Sequence, residues 1–169
     1  PVCLSSGPTG ATMNRYETTN FTIVYYTDNL YAVPTDAEYR AEHHTNPLLP
    51  DFVEDVAVFL ERAHAYYVDT LKLRPPVRPE GQSRIFVQIR NYKESEWLPL
   101  TKALHIANNF AAASLLGFNW HGDDRTLLAH ELAHELFHAL QNAYLGYTSM
   151  YQGKWLTESL ADYAAHLVA

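Results

Sequence analysis

The sequence predicts an α+β fold in a single domain, on three observations. Two short runs, "NFTIVYYTD" (20–28) and "RIFVQIR" (84–90), are rich in β-branched and aromatic residues, as strands are. Three longer stretches, opening at Asp51, Asp124 and Lys154, repeat apolar residues at helical spacing. A chain of 169 residues has room for one sizeable core and hardly for two.

Composition narrows the function classes. The net charge is -7 with no cluster of Lys and Arg, which argues against nucleic acid or an anionic membrane as the main partner. No apolar run approaches the roughly 20 residues of a membrane span. Cys3 is the only cysteine, so no disulfide forms within the chain, and nothing near it in "PVCLSSG" would activate a catalytic thiol. The first residues lack the basic start and apolar core of a signal peptide, and Pro1 stands where Met would. We therefore expect a piece of a longer chain, with any address label on the part not shown.

Taken in order, residues 1–19 read as a flexible tail, the first 15 being rich in Ser, Gly and Thr, and residues 20–169 as the domain. The first strand is Asn20–Asp28. Residues 34–50 carry three prolines and "EHHTN" without a sustained period, so they read as a surface loop in which His43 and His44 are solvated. Asp51 and Glu54 then make a capping-box-like start, and Val53, Val56, Leu60, Ala63 and Tyr67 recur along a long amphipathic helix to about Leu73. Pro75 and Pro76 end it. His64, on this helix, reads as a packing or solvated residue. The second strand, Arg84–Arg90, alternates Ile85, Val87 and Ile89 with Phe86, Gln88 and Arg90. Residues 98–116 fit either period, with a short strand over Leu104–Asn108 preferred. A helix opens at Asp123 or Asp124 and stops at Gly146; a loop with Tyr147 and Tyr151 leads to a last helix from Lys154 that the chain end cuts short.

The helix from Asp124 contains "HELAHELFH", in which H-E-x-x-H occurs twice in overlapping frames. One frame is His130, Glu131 and His134; the other is His134, Glu135 and His138. Residues four apart on a helix lie one turn apart on nearly the same face, so two such histidines can grip one zinc ion at about 2.0–2.1 Å each. The Glu beside the first His does not easily reach the metal, but it does reach a water bound there, which is the position of a general base. His130 and His138 are about 12 Å apart along the axis and cannot share one ion. His134 is thus a ligand in either frame, and spacing alone leaves both open. Leu132, Leu136, Ala139, Leu140 and Ala143 make this a core helix rather than a solvated rod. On the following helix Glu158 and Asp162 are one turn apart and face the same way. One can bind metal while the other accepts the free N–H of a liganded histidine.

H-E-x-x-H followed by E-x-x-x-D on the next helix resembles the gluzincin group of zinc metallopeptidases, the thermolysin-like class. The order of "NFTIVYYTD", "DFVEDVA", "PP", a strand, "AHELFHALQ" and "WLTESLADY" is similar to that of secreted bacterial proteins of metallopeptidase type, over most of residues 20–165. The resemblance implies a zincin-like subdomain: a small twisted mixed sheet packed on a long helix, the H-E-x-x-H helix and the third-ligand helix, with an edge strand beside the substrate cleft. It implies a second subdomain after this one, and a secreted or cell-surface location. It favours the second frame, because "AHELFHALQ" matches through and beyond the second His. The implied zinc ligands are His134, His138 and Glu158, the base is Glu135, and Asp162 orients a liganded histidine. His130 becomes a cleft residue of structural role.

The expected activity is zinc-dependent hydrolysis of peptide bonds in a protein or peptide substrate, with Glu135 moving the proton from the attacking water to the leaving amine. Tyr144, Tyr147, Tyr151, Tyr163 and His166 are candidates for stabilising the oxyanion by nearness in sequence. The competing reading is a zinc-stabilised binding or adhesion module without turnover, which would use the same ligands but would not require Glu135.

Overall fold

The computed structural model of the chain describes residues 11–28, 32–35, 39, 46–92, 94–108 and 124–169. The expectations for Cys3, His43, His44 and Asp123, and for the side chains of Tyr147 and Tyr151, lie outside the described residues. The architecture is mixed α+β. Strands β1 (Met13–Glu17), β2 (Phe21–Tyr26), β3 (Ile85–Arg90), β4 (Glu96–Leu98) and β5 (Ala103–Ala107) form one sheet in the order β1-β2-β3-β5-β4. β2, β3 and β5 run parallel, and β1 and β4 pair antiparallel on the two edges. Helix α1 is Asp51–His64, α2 is Asp124–Gln152 and α3 is Lys154–His166.

Strand alternation decides which side chains meet the helices. Phe21 and Ile23 of β2, Ile85, Val87 and Ile89 of β3, and Leu104 and Ile106 of β5 point to one face, where they form a continuous core with α1 and α2. From α1 come Phe52, Val53, Val56 and Leu60; from α2 come Leu128, Leu132, Leu136 and Leu140. The two helices are also tied by charge. Arg125 donates two hydrogen bonds to the buried Asp55 carboxylate (2.8 and 2.7 Å), and the Tyr39 hydroxyl donates a third (2.9 Å). An Arg fork on a carboxylate holds orientation as well as distance, so this contact sets how the start of α2 lies on α1.

Several expectations require correction. The tail read as residues 1–19 contains strand β1, whose exposed Met13, Arg15 and Glu17 alternate with half-buried Asn14 and Tyr16. A polar edge strand has half its surface in water, so its composition resembles a tail even though its period is that of a strand. The helix expected to reach Leu73 is α-helical only to His64. Ala65–Thr70 widen into a π-helical segment, in which the Leu71 N–H reaches back to the Tyr66 carbonyl (2.9 Å) before Lys72 turns out with φ 57°. Tyr67 in this segment is fully buried, donates to the Ala133 carbonyl (3.3 Å) and meets Phe137 edge-on. The short strand preferred at Leu104–Asn108 is present as Ala103–Ala107, and β4 beside it was not foreseen.

His64 is a packing residue, as one of its two expected readings had it. It is buried edge-on against Phe21, its two ring nitrogens have no hydrogen-bond partner among the described residues, and burial pushes its pKa down. Gly146 does interrupt α2: its φ of 68° and ψ of 174° leave the helical region, at a cost that only glycine avoids. Helical turns resume over 147–152, where a loop was expected, and α3 closes at His166 rather than running on to Ala169.

Candidate metal centre

The core requirement of α2 places its histidines. With Leu128, Leu132, Leu136 and Ala139 turned into the core, His134 and His138 fall on the flank that faces α3. α3 buries Thr157, Ala161, Ala164 and Ala165, small residues that let the two helices approach closely, and this brings Glu158 and Asp162 onto the histidines. His134 Nε2 and His138 Nε2 are 3.0 Å apart, and Glu158 Oε2 is 3.3 Å from each. Among the described residues, His134, His138 and Glu158 form the group of ligand atoms able to hold a metal ion.

The outer nitrogens of the two rings determine what the inner ones carry. His134 Nδ1 faces Asp162 Oδ1 at 2.9 Å, and an ionised carboxylate only accepts, so the neutral ring carries its proton on Nδ1. His138 Nδ1 faces Gln141 Oε1 at 2.7 Å. The Gln141 amide is oriented by its own Nε2, which donates to the Thr157 carbonyl at 2.9 Å, so His138 too carries its proton on Nδ1. Both Nε2 atoms are then bare lone pairs, facing each other and a carboxylate oxygen. Three acceptors at such spacing repel unless a cation lies among them. A tetrahedral zinc with ligands at 2.0–2.1 Å separates them by roughly 3.3 Å, which these three atoms match. Burial pushes the His134 pKa down, as does the neighbouring His138, against Asp162 and Glu158, and so favours the neutral ring that a metal requires.

Glu135 lies beside this triangle. Its Oε2 accepts the Trp97 backbone N–H from β4 at 2.7 Å, while its Oε1 is 3.9 Å from His134 Nε2. Burial drives its pKa well up, with Glu131, Glu158 and Glu96 adding to the effect and the Trp97 N–H opposing it. Glu131, one turn back, has its pKa pushed up by burial, with Ser95 opposing the shift. His130 stands outside the triangle, its ring centre 6.5 Å from that of His134 and edge-on to His166 at 5.7 Å. Of the oxyanion candidates, Tyr144 accepts the Arg74 backbone N–H at 2.7 Å, Tyr163 is exposed on α3, and His166 packs on His130.

Two contributors were not assigned a role from sequence. Gln141 is three residues after His138 and therefore on the same helix face, a signal that was available. Trp97 acts through its backbone from a strand of three residues, for which sequence offers no period. Compared with known proteins, the chain matches no family model, no curated protein and no solved structure.

Asp162 is half-exposed and touches the site through His134 Nδ1, which makes a clean prediction possible. Asp162→Asn should keep the fold and weaken zinc binding about 10- to 100-fold, as loss of a carboxylate behind a liganded histidine does. Competition with a chromogenic chelator measures this. If the Asn variant lost zinc altogether while a Glu158 variant kept it, the two carboxylates would have to exchange roles.

Proposed function

We propose that this chain is a zinc-dependent metallopeptidase of the gluzincin type, with His134, His138 and Glu158 as ligands, Glu135 as general base and a zincin-like arrangement of sheet and helices. The observation that carries the reading is the meeting of three proton-free acceptors with a buried carboxylate beside them. A structural zinc site would need the three ligands only; a Glu whose free oxygen is turned toward them suits hydrolysis.

Zinc, when bound, supplies Lewis acidity, lowering the pKa of a water toward 7 and polarising the scissile carbonyl. The remaining steps belong to the chain. His134 and His138 present Nε2 because Asp162 and Gln141 hold their Nδ1 protons. Glu135 Oε1 accepts a proton as the water oxygen attacks the amide carbon. A carboxyl whose pKa is raised by burial retains that proton long enough to pass it to the amine as the C–N bond breaks. The Trp97 N–H keeps the other oxygen occupied, so that Oε1 is the one turned toward the reaction.

Elemental analysis of dialysed protein tests the reading, with one zinc per chain as the expected result. Recovery of well under half an equivalent from a folded, zinc-replete sample would overturn it. Affinity should fall in mildly acidic buffer, because protons compete for the same imidazole nitrogens.

A further inference from the structure

Polar contacts join α2 and α3 as rungs that run in opposite directions along the two helices: Gln141 to Thr157, His138 to Glu158 and His134 to Asp162. The middle rung consists of ligand atoms, a bare Nε2 and a carboxylate oxygen, which attract each other only through a cation. The last ends on the half-exposed Asp162 carboxylate. The first is of another kind. Gln141 and Thr157 are both buried, and Gln141 Nε2 donates to the Thr157 carbonyl at 2.9 Å while its Oε1 accepts from His138 Nδ1 at 2.7 Å. A carbonyl oxygen has two lone pairs, so that of Thr157 can serve the amide as well as its own helix. One planar group thus spans from the ligand His138 to the residue before the ligand Glu158. The apolar contact around it is slight: α3 buries Thr157, Ala161, Ala164 and Ala165 and leaves Trp155, Leu156, Leu160 and Tyr163 exposed. Small side chains remove little area from water, so they attract weakly, and without an ion the three facing acceptors push the helices apart. A buried amide left without its partner costs its full desolvation, which makes this rung a large part of what holds α3 in place.

We infer that Gln141 is a positioning residue that docks α3 on α2 before metal arrives, so that Glu158 is held ready for the ion rather than gathered by it. The inference rests on the metal-centre reading for what Glu158 is held for, but the docking itself needs no metal. It accounts for an amide at this position. A carboxylate would serve the His138 N–H alone, whereas residue 141 must also donate to the Thr157 carbonyl. Where the competent arrangement is only partly populated, apparent affinity falls by that fraction, so losing the dock weakens zinc binding without touching a ligand.

The test compares the whole chain with its Gln141→Met and Gln141→Glu variants at pH 8, by amide hydrogen exchange over residues 158–165 in chelator and in excess zinc, and by zinc titration. In the parent these amides should be protected in both conditions. Gln141→Met keeps the length of the side chain and removes both contacts, so without metal its α3 amides should exchange at least tenfold faster than the parent's. Excess zinc should restore their protection, and the zinc Kd should rise about 10- to 100-fold. Gln141→Glu keeps the acceptor for His138 and loses the donor to Thr157, so its metal-free exchange should match that of the Met variant. Should Gln141→Met not fold, the Glu variant makes the same comparison. A metal-free parent whose α3 exchanges as fast as the variants' overturns the inference, because zinc then does the docking. Metal-free variants as protected as the parent overturn it too, because the Thr157 contact then holds nothing. If the parent binds no zinc, the metallopeptidase reading is what fails, and exchange in chelator still decides the dock.

Discussion

Glu135→Gln is expected to lower peptide hydrolysis by about 10²- to 10⁴-fold, the range a general base contributes, while leaving zinc content and melting temperature nearly unchanged. The substitution preserves size and leaves an oxygen to accept the Trp97 N–H, so the contact with β4 survives. It touches no ligand atom: the nearest approach is 3.9 Å, from Oε1 to His134 Nε2. Only proton transfer is lost. Glu131→Gln provides the comparison, because in the other frame of the motif Glu131 would be the base and the two outcomes would exchange places. If both Gln variants hydrolysed peptides like the parent, the general-base mechanism would be wrong. If the parent bound zinc and hydrolysed nothing, the binding-module reading would gain, and a chain extended past Ala169 would test whether a further segment is needed for turnover.

His138→Ala is expected to abolish stoichiometric zinc binding. Two ligands remain in the triangle, and His134 Nε2 then faces Glu158 alone. In the parent, a site that holds zinc in the folded state only adds RT ln(1 + [Zn]/Kd), about 4 kcal/mol when free zinc is a thousandfold above Kd. For a domain of this size that corresponds to a chelator-induced fall in melting temperature on the order of 10 °C. The variant should show no such fall. The difference between chelated and zinc-loaded samples is the quantity to read, because His138 is buried and its truncation lowers stability whether or not metal is present. A variant that kept one zinc would return the site to His130 and His134, although the 6.5 Å between those rings and the packing of His130 on His166 make that pair poorly placed.

Much of this centre is legible in the sequence because helix geometry is local. Once 124–145 is helical, His134 and His138 must share a face, and so must Glu158 and Asp162 on the next helix, whatever they pack against. The alternation in β3, and the stop at Gly146, follow in the same way from a strand's period of two and from a backbone conformation that glycine adopts without strain. Tertiary structure decided what passes between elements. That Asp162 meets His134 while Glu158 lies 3.3 Å from both rings depends on how closely α3 approaches α2, between residues 28 and 20 positions apart in the chain. That Glu135 rather than Glu131 turns an oxygen to the triangle depends on β4, 38 positions away, and on a backbone N–H that every residue but proline has. A donor of that kind leaves no mark on the sequence. The period of a helix or strand is a property of consecutive residues, whereas the partner of a buried carboxylate is selected by the packing of the whole domain.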